Sequence, residues 1–284
     1  MKINARRPHP LITNSVSLNP WFITGFADGE GSWGLSLSKD SKRKAGYAIA
    51  PSFDIGLHPK DIALLERIRA YFGVGDIHVS SELVRWKVSS IKDLTNVIIP
   101  HFDKYPLLSQ KRADFEIFKQ VIELLQRKGI TQDNFQEIIN LKASLNKGLS
   151  EELKLAFPDT VPAPRPLVEF SGIPDPNWLS GFTDADGCFF VNTYKSPASK
   201  IGQAVQLEYV VTQHIRDREL LEGLVGYLGC GKFGQRKGRD AGDYKVLSIK
   251  AINEIIIPFF VKYPLQGVKS LNFGQEKIFV LLQK

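Results

Sequence analysis

The chain has 284 residues, 43% of them hydrophobic and 24% charged, a composition that fits one large or two ordinary globular domains and excludes disordered and collagen-like chains. Its two cysteines, Cys188 and Cys230, lack CxxC spacing, which argues against both a disulfide framework and a thiolate zinc site. The net charge of +7 divides into +4 over residues 1–125, −1 over 126–176 and +4 over 177–284. This balance favours polyanion binding by both ends of the chain, although it also suits an ordinary basic soluble protein.

A basic leader is predicted for residues 1–17, where Lys2, Arg6 and Arg7 precede the first acidic residue, Asp28. Two interpretations stay open for it, an organellar presequence and a disordered basic segment. No continuous apolar run follows the basic residues, which argues against a secretory signal. The uncharged stretch from residue 8 to residue 27 contains three prolines, and this composition excludes a membrane-spanning helix.

An internal duplication is the most informative feature of the sequence. An offset of 156 residues superposes the segment 25–31, GFADGEG, on 181–187, GFTDADG, and also matches His58 with His214 and Asp61 with Asp217. After a further shift of two residues, the same Lys-Tyr-Pro-Leu sequence occurs in both copies. Because self-similarity at a fixed offset marks repeated structural units, we predict two copies of a unit of about 105 residues joined by a linker.

Each copy is predicted to have the order αββαββα, so the fold class is α+β. A short helix is expected after the cap-type dipeptides Asn19-Pro20 and Pro176-Asn177. Aromatic and β-branched residues indicate the strands that follow. The elements predicted after the first helix are strands within 32–57, a helix from Lys60 to Tyr71, a strand pair near 76–90, helices near 91–103 and 109–127, and, in the second copy, strands within 188–213 and a repeat of the same plan.

The middle of the chain is predicted to be a linker with a helical part followed by an extended, proline-rich part. Phe135, Ile138, Ile139 and Leu141 have helical spacing. The stretch from Pro158 to Pro176 holds six prolines and is predicted to be an extended tether. The predicted domains are the basic leader at 1–17, the first unit at 18–127, the linker at 128–176 and the second unit at 177–284.

The repeated acidic turns end the first helix of each copy. Gly25 with Gly29, and Gly181 with Ala185, are small residues four positions apart, which allows two helices to pack closely and would bring the turns together at a pseudo-twofold axis. Carboxylates at the C-terminal end of a helix meet the negative end of its dipole and repel each other, so a cation between them is expected. Oxygen ligands without thiols favour Mg²⁺, and carboxylates that hold such ions beside phosphates are typical of phosphodiester cleavage.

The motif residues 23–31, ITGFADGEG, and 179–187, LSGFTDADG, resemble the signature of the LAGLIDADG homing endonucleases in their single-chain form with two motifs. The resemblance covers both copies, since Lys-Tyr-Pro-Leu followed by Lys111 or Lys269 also matches. It implies two αββαββα units whose curved antiparallel sheets form a saddle over duplex DNA. It also implies a monomer with an internal pseudo-dimer that cuts both strands at a long asymmetric site, leaves short 3′ overhangs and uses Mg²⁺, with Mn²⁺ or Ca²⁺ as substitutes at the site.

The same resemblance implies a set of metal ligands. Glu30 and Asp186 match the last acidic position of each motif, which binds metal in the family. The preceding residues, Gly29 and Ala185, are expected to take part in the same metal site. The two carboxylates differ in length, and the shorter aspartate is expected to alter how each strand is cut.

Further catalytic residues are implied outside the motifs. Lys111 and Lys269 match the active-site lysines of the family, which would stabilise charge on the scissile phosphate or orient water. The alternative for both is a solvated lysine at a helix start. Gln213 resembles the polar residue that the family uses near the attacking water, but the corresponding residue of the first copy is Leu57.

Two further pairs of repeated polar residues have competing interpretations. Asp28 and Asp184 match the earlier acidic position of the motif, and hydrogen bonding at helix ends and turns is the favoured role for them. His58 and His214 invite a general-base assignment. Both follow a predicted strand and precede a helix, however, and capping of that helix is the favoured interpretation.

The strands that face the DNA groove are expected to carry side chains for base edges and phosphates. The run Lys42-Arg43-Lys44 is expected at a hairpin tip and would contact phosphate. Trp86 and Tyr244 occupy equivalent strand positions and are expected to be packed in the core. The candidate DNA-binding residues are Ser36, Ser38, Lys39, Lys42, Arg43, Lys44, Tyr47, His78, Ser80, Arg85, Lys87, Asn192, Tyr194, Lys195, Lys200, Gln203, Gln206, Lys232, Gln235, Arg236, Lys237, Arg239 and Lys245.

The resulting functional prediction is a site-specific, Mg²⁺-dependent DNA endonuclease of organellar, mitochondrial, origin. Two alternatives on the same fold stay open: a maturase that binds intron RNA and assists its splicing, and a cleavage-inactive DNA-binding protein. Retention of both acids and both lysines counts against the inactive alternative. It does not count against a maturase, because splicing activity can coexist with cleavage.

Overall fold

The computed structural model describes residues 17–127, 132–198 and 202–274, and it confirms the α+β fold with two similar halves. The first half consists of α1 (Pro20–Glu30), β1 (Gly31–Lys39), β2 (Tyr47–Leu57), α2 (Ile62–Phe72), β3 (Asp76–Val79), β4 (Val84–Val88), α3 (Ile91–Asp93), α4 (Ile99–Lys104) and α5 (Lys111–Gln126). The linker contains α6 (Gln132–Ser144) and α7 (Glu151–Ala156). The second half consists of α8 (Pro176–Asp186), β5 (Gly187–Lys195), β6 (Gln203–His214), α9 (Arg218–Leu228), β7 (Lys232–Gln235), β8 (Ala241–Val246), α10 (Ile249–Ala251), α11 (Ile257–Lys262) and a helix whose described part is 269–274.

Short irregular helical turns complete both halves at equivalent places. A 3₁₀ turn precedes α2 and another precedes α9, at Pro59–Asp61 and Ile215–Asp217. A π-helical turn joins α3 to α4 at Leu94–Ile98, and its counterpart joins α10 to α11 at Ile252–Ile256. The duplication seen in the sequence therefore extends to details of backbone geometry.

Each half forms one four-stranded antiparallel sheet, with strand orders β1-β2-β4-β3 and β5-β6-β8-β7. Side chains alternate between the two faces of a strand, and the apolar residues of alternate positions form the core. In the first sheet this face carries Trp33, Phe53 and Trp86, which are at most 1% exposed. In the second sheet Tyr209 and Tyr244 occupy the same face and are fully buried. The prediction that Trp86 and Tyr244 are core residues is confirmed.

The helical part of the linker packs on the hairpin of the first sheet. Phe135 and Ile139 of α6 form a buried cluster with Leu37, Tyr47 and Ile49 of β1 and β2. Burial of such apolar surface stabilises the contact by roughly 25 cal/mol per Å². The core-side face of the β1–β2 hairpin near its loop is therefore covered by a linker helix, which lies outside the repeated units.

Helices α1 and α8 pack against each other along the pseudo-twofold axis, and glycine permits the approach. A Cβ atom built on Gly25 would lie 1.9 Å from the carbonyl oxygen of Trp178, and one on Gly181 would lie 1.9 Å from that of Phe22. No side chain fits in that space. The prediction that small residues allow the motif helices to touch is confirmed. Asn19 caps α1 as expected, while α8 is capped by Asp175 rather than within Pro176-Asn177.

Some predicted features fall outside the described residues. These are the basic residues Lys2, Arg6 and Arg7 of the leader, and Lys200 of the candidate DNA-binding set. Within the ranges that are described, none of the helices combines the length and the apolar character needed to cross a bilayer.

Candidate active site

The C-terminal ends of α1 and α8 place the two acidic turns side by side. A Cβ atom built on Gly29 would lie 2.3 Å from the Cβ of Ala185 and 2.8 Å from Oδ2 of Asp186. Burial raises the pKa of Glu30 above its ordinary value, and the negative charge of Asp186 raises it further. The two carboxylates thus share one partly buried region, and that of Asp186 lies beside the end of α1.

A lysine binds the end of each motif helix. Lys111 Nζ donates hydrogen bonds to the carbonyl of Gly29 at 2.5 Å and to that of Ala27 at 3.3 Å. Lys269 Nζ donates to the carbonyl of Ala185. The last carbonyls of a helix lack intrahelical partners and carry the negative end of its dipole, so a cation is stabilised there. The two ammonium groups are therefore held within the acidic cluster.

Burial and charge act in opposite directions on the first of these lysines. Burial lowers the pKa of Lys111, while the carboxylates of Asp28, Asp186 and Glu30 raise it. Positive charge on Arg216 contributes to the lowering. The ammonium of Lys111 is therefore surrounded by charges from both copies.

Gln213 makes the two halves of the centre different. Its Nε2 donates a 2.6 Å hydrogen bond to Oδ2 of Asp186. Burial raises the pKa of Asp186, and the bond from Gln213 opposes that rise. Leu57, at the equivalent position, has no donor for Glu30. An open cleft of about 490 Å³ on this side is lined by residues of both copies, among them Lys111 and Asp186.

The residues at the centre fit a hard divalent cation. The carbonyls of Gly29 and Ala185 already accept hydrogen bonds from ammonium groups, so their surroundings attract positive charge. Carboxylate and carbonyl oxygens are the ligands that Mg²⁺ and Ca²⁺ prefer. Among the described residues, no group of three or more His, Cys, Asp or Glu side chains is arranged to hold a metal. A cation here would therefore combine Glu30 and Asp186 with carbonyl or water oxygens.

Asp28 and Asp184 have a structural role that reaches further than the predicted turn bonding. Asp28 accepts hydrogen bonds from the backbone N–H groups of residues 108–109 at 2.9 and 3.0 Å, and from Trp178 Nε1 at 2.7 Å. Asp184 accepts bonds of 2.6 Å from the N–H groups of residues 266–267. Burial raises the pKa of both carboxyl groups. Each aspartate thus holds the loop that precedes one of the two lysines, Lys111 or Lys269, which is a long-range contact rather than a local one.

The two matched histidines are capping residues. Nδ1 of His58 accepts a 3.2 Å hydrogen bond from Lys60 N, and Nδ1 of His214 accepts one of 3.1 Å from Arg216 N. Each histidine therefore begins the 3₁₀ turn that follows its strand. The capping interpretation is confirmed for both.

Comparison with known families matches each copy separately. The family model described as LAGLIDADG endonuclease matches residues 23–122 and again residues 179–280. The chain belongs to the LAGLIDADG endonuclease family. Each matched range contains most of one motif helix with its acidic end, one sheet and one of the two lysines of the centre described above, so the LAGLIDADG assignment covers every part of that centre.

Curated LAGLIDADG relatives include intron-encoded proteins of fungi. Probable intron-encoded endonuclease 3 of Neurospora crassa is 37% identical over 265 residues, which are 92% of this chain and 49% of the relative. Probable intron-encoded endonuclease 2 of the same organism is 37% identical over 98% of this chain and 64% of the relative. The chain thus spans about half to two thirds of the length of these relatives.

Solved structures of LAGLIDADG proteins match the whole fold. The homing endonuclease I-SmaMI bound to cleaved DNA superposes with a TM-score of 0.91 at 39% identity, over 94% of this chain and 90% of that one. I-SmaMI bound to an uncleaved DNA target with calcium ions has the same TM-score at 40% identity, over 94% and 92% of the two chains. The agreement covers both copies and their relative placement.

In this LAGLIDADG chain, the face of each sheet opposite the core carries most of the candidate DNA-binding residues. The strand register places Ser36 and Ser38 there in the first sheet and Asn192 and Gln206 there in the second. Exposed turns hold the basic tips of the hairpins. The candidates on the open faces are Ser36, Ser38, His78, Arg85, Lys87, Asn192, Tyr194, Gln206, Lys232, Arg236 and Lys245, and those in exposed turns are Lys42, Arg43, Lys44, Ser80, Lys237 and Arg239.

Two candidates of the first sheet lie on the wrong face. Lys39 pairs with Tyr47 in the register of β1 and β2, on the same side as the core residues. The ring of Tyr47 lies 6.1 Å from that of Phe135 and 5.2 Å from that of Phe157. Lys39 Nζ lies 2.8 Å from a carboxylate oxygen of Glu152 in α7. Their assignment to the DNA interface is corrected, because the linker helices cover this side of the hairpin.

Three candidates of the second sheet also follow the core-side register. Lys195 pairs with Gln203 at the loop end of the β5–β6 hairpin, in phase with the core pair of Phe189 and Tyr209. Gln235 pairs with Gly242 on β8, in phase with core residues of that sheet. The three side chains are exposed, but they belong to the face opposite the proposed groove. Alternation with a period of two fixes this placement.

Two carboxylates on the open faces were not anticipated from the sequence. Asp54 lies 3.3 Å from Arg85, and Asp243 lies 2.7 Å from Arg236 and 3.2 Å from Lys245. Burial acts to raise the pKa of Asp243, yet hydrogen bonds from Arg236 and other donors hold it below its ordinary value. Each of these carboxylates therefore pairs with an arginine on the open face of its own sheet. Only the pairing register, which places Asp54 opposite Lys87, could have indicated such a contact.

Proposed function

We propose that this protein is a site-specific DNA endonuclease that hydrolyses one phosphodiester bond in each strand of a duplex target. The observation that carries the proposal is the composite centre at the ends of α1 and α8. There the carboxylates of Glu30 and Asp186 interact with each other and with Lys111 and Lys269. The similarity to I-SmaMI, which has been solved with cleaved DNA, supports the same activity.

The chain's own residues would divide the chemistry between them. The carboxylates of Glu30 and Asp186, with the carbonyls of the residues before them, would hold Mg²⁺, which when bound supplies a Lewis acid for the scissile phosphate. The ammonium groups of Lys111 and Lys269 place positive charge where negative charge develops on the phosphate oxygens. Gln213 fixes the orientation of the Asp186 carboxylate through its 2.6 Å hydrogen bond.

The proposal includes the substrate and the number of subunits. Two sheets with polar and basic open faces lie on either side of the composite centre, as duplex DNA with phosphates on both strands requires. One chain supplies two lysines and two carboxylates, so a monomer would cut both strands. The similarity to fungal intron-encoded relatives, and to a mitochondrial protein of Saccharomyces cerevisiae at 23% identity over 76% of this chain, supports a mitochondrial origin.

The cleavage-inactive alternative is the weaker proposal. Burying an ion costs roughly several kcal/mol. A protein that no longer cuts DNA would therefore have no need to keep four charged groups in one partly buried cluster. Here Glu30, Asp186, Lys111 and Lys269 are all kept and are electrostatically coupled. Neither the described contacts nor the relatives reported above give an observation in favour of RNA splicing.

The test begins by selecting the target from a randomised duplex library. Purified protein is incubated with the library and Mg²⁺, the cut ends are captured by adaptor ligation, and both ends are sequenced. The expected result is enrichment of one long asymmetric site that is cut in both strands with short 3′ overhangs. Chelation of the divalent cation is expected to stop cutting.

Variants of the two carboxylates then test the centre on the recovered duplex. Combining Glu30→Gln with Asp186→Asn is expected to abolish cutting while Kd changes by less than about tenfold, or about 1.4 kcal/mol, because no phosphate-binding cation is removed. The matched control combines Glu66→Gln with Asp159→Asn at two exposed acids and should cut like the wild type. A failure of the wild type to enrich any site, or full cutting by the first variant, would contradict the proposal.

A further inference from the structure

Two aspartates at helix starts bind the opposite copy instead of their own helices. Asp217 directly precedes α9, and its Oδ1 accepts a 2.6 Å hydrogen bond from Gln110 N of the first copy. Asp61 directly precedes α2, and its Oδ1 accepts a 3.0 Å bond from Val268 N of the second copy. An aspartate at this position ordinarily caps its own helix. Within the described residues neither carboxylate does so.

The bonded N–H groups belong to the residues that immediately precede the two lysines. Gln110 is followed by Lys111, which begins α5, and Val268 is followed by Lys269. The first N–H groups of a helix have no intrahelical acceptor and need one from elsewhere. Asp217 and its counterpart supply that acceptor from across the pseudo-twofold axis.

Each lysine loop is consequently held by one carboxylate of its own copy and one of the other copy. In the first copy, the N–H groups of residues 108–109 bind Asp28 and that of Gln110 binds Asp217. In the second copy, the N–H groups of residues 266–268 are divided in the same way between Asp184 and Asp61. The pattern is repeated at both ends of the duplicated chain.

We propose that Asp217 and Asp61 are positioning residues for the lysine of the opposite copy, Asp217 for Lys111 and Asp61 for Lys269. The inference rests on the proposed nuclease function, because it assigns each lysine to the cutting of one strand. Neither aspartate need touch DNA or metal. Each fixes the backbone from which the lysine reaches the centre, and a displacement near 1 Å can cost about 100-fold in rate.

The two contacts are unequal. Asp217 is 5% exposed, and its Oδ2 also lies 3.6 Å from Nε of Arg216. Asp61 is only partly buried and makes the longer hydrogen bond. Loss of a buried acceptor leaves its donor without a solvent substitute. Loss of the Asp217 carboxylate should therefore have the larger effect.

The first experiment measures cutting of each strand separately, on the recovered duplex labelled at one 5′ end or the other. Asp217→Ala is expected to slow the strand that Lys111→Met slows by more than about tenfold, with the other strand within about threefold of wild type. Asp61→Ala should slow the strand that Lys269→Met slows. Asp217→Asn and Asp61→Asn keep an oxygen acceptor for the N–H group and should restore most of the rate. Equal slowing of both strands would overturn the assignment.

Double variants and a matched control separate positioning from general destabilisation. In the Lys111→Met background, Asp217→Ala should slow cutting of the affected strand only a little further, because both changes act on one lysine. In the Lys269→Met background, Asp217→Ala should slow its own strand by the full factor seen in the single variant. Ser90→Ala removes the cap of α3, a hydrogen bond of the same kind within one copy. This control should show no strand bias. A bias as large as that of Asp217→Ala would contradict the inference.

The two hydrogen bonds between the copies, from Gln110 N to Asp217 and from Val268 N to Asp61, can also be tested without DNA. Amide hydrogen exchange is followed at Gln110 and Val268 in the full chain. Asp217→Ala should accelerate exchange at Gln110 by about tenfold or more while Val268 keeps its wild-type rate, and Asp61→Ala should do the reverse. Unchanged exchange at both amides would show that the two aspartates do not protect these N–H groups, which would refute the inference. Specific exchange changes in a protein that cuts no duplex would instead refute the nuclease function on which the role depends.

Discussion

Trp178 donates a 2.7 Å hydrogen bond from its indole Nε1 to Oδ2 of Asp28, which joins the second copy to a buried carboxylate of the first. The same carboxylate holds the backbone of residues 108–109, just before Lys111. At the position equivalent to Trp178 the first copy has Phe22, whose side chain has no hydrogen-bond donor. The contact therefore exists on one side of the pseudo-twofold axis only.

Trp178→Phe is expected to weaken both the fold and the Lys111 half of the centre. Phenylalanine keeps most of the buried ring but removes a donor to a buried carboxylate, a loss of about 1.5–3 kcal/mol in the free energy of unfolding beyond the loss of packing. Urea denaturation followed by tryptophan fluorescence and circular dichroism measures this change. On labelled duplex, the strand served by Lys111 should be cut more slowly.

The control for this variant is Trp33→Phe in the first core. Trp33 is 1% exposed, and within the described residues its Nε1 has no hydrogen-bond partner. The substitution deletes the same atoms without breaking a hydrogen bond. If Trp178→Phe were no more destabilising than this control, the bond to Asp28 would have no net value for stability.

Gly25→Ala should separate cutting from folding. A Cβ at this position would lie 1.9 Å from the carbonyl oxygen of Trp178, which is backbone and cannot rotate away, so α1 and α8 must move apart. Overpacking of this kind costs about 1–3 kcal/mol or more. Because Glu30 and Asp186 lie at the ends of these helices, we expect cutting to fall by about 100-fold at temperatures where circular dichroism still reports a folded protein.

Gly226→Ala is the matched control for that substitution. Gly226 lies within α9, and a Cβ there would meet no atom within 4 Å. The first copy already has Ala70 at the equivalent position. The control should stabilise the helix by up to about 1 kcal/mol and cut at the wild-type rate. If Gly25→Ala behaved like this control, the close approach of the motif helices would have no part in the activity.

Lys111→Met and Lys269→Met are expected to uncouple the two strand cuts. Each lysine binds the carbonyl end of its own copy's motif helix, so each would serve one scissile phosphate. Each single variant should accumulate nicked plasmid, and the nicks should lie on opposite strands when the products are sequenced. Lys92→Met, at an exposed lysine of α3, should produce linear product without excess nicks. Equal slowing of both strands would indicate one shared role instead.

The fold and the centre could be predicted because their signals are local and occur twice. GFADGEG and GFTDADG each indicate a helix with two small residues four positions apart and an acidic residue at its end. Because the motif occurs twice, two such helices are expected to pack at one axis. Gln213 and the two lysines followed from the family resemblance. Physical spacing alone would not have located them, since Lys111 reaches Gly29 across 82 residues of sequence.

The rest depended on contacts that no local pattern encodes. Tyr47 was assigned to the groove, but its register puts it in phase with the core residue Phe53, and linker residues distant in sequence, Phe135 and Phe157, cover it there. Asp61 and Asp217 were visible as a matched pair, but their position predicts helix capping. Their actual acceptor roles involve N–H groups 207 and 107 residues away.

His101 is a buried histidine that only the first copy contains. It is 7% exposed, and its ring nitrogens lie 3.3 Å from Thr24 Oγ1 and 3.2 Å from the Tyr71 hydroxyl. Burial lowers the pKa of His101 to about 3. The second copy has Phe259 at the equivalent position, which shows that this site of the fold accepts an aromatic ring without ring nitrogens.

His101→Phe should therefore change how stability depends on pH. In the unfolded chain a histidine binds a proton near pH 6.5, whereas in the folded protein the pKa of His101 is about 3, so the unfolded state binds more protons between these values. The wild type should lose up to about 1.4 kcal/mol of unfolding free energy from this group for each unit of pH below 6.5. The variant should lack that component, so its stability relative to wild type rises as the pH falls from 7 to 4.5, even if it is lower at pH 7 through the two lost hydrogen bonds. Urea titrations at half-unit intervals of pH measure the difference between the two proteins. Parallel curves for His101→Phe and wild type would mean that the buried ring already binds its proton in the folded protein.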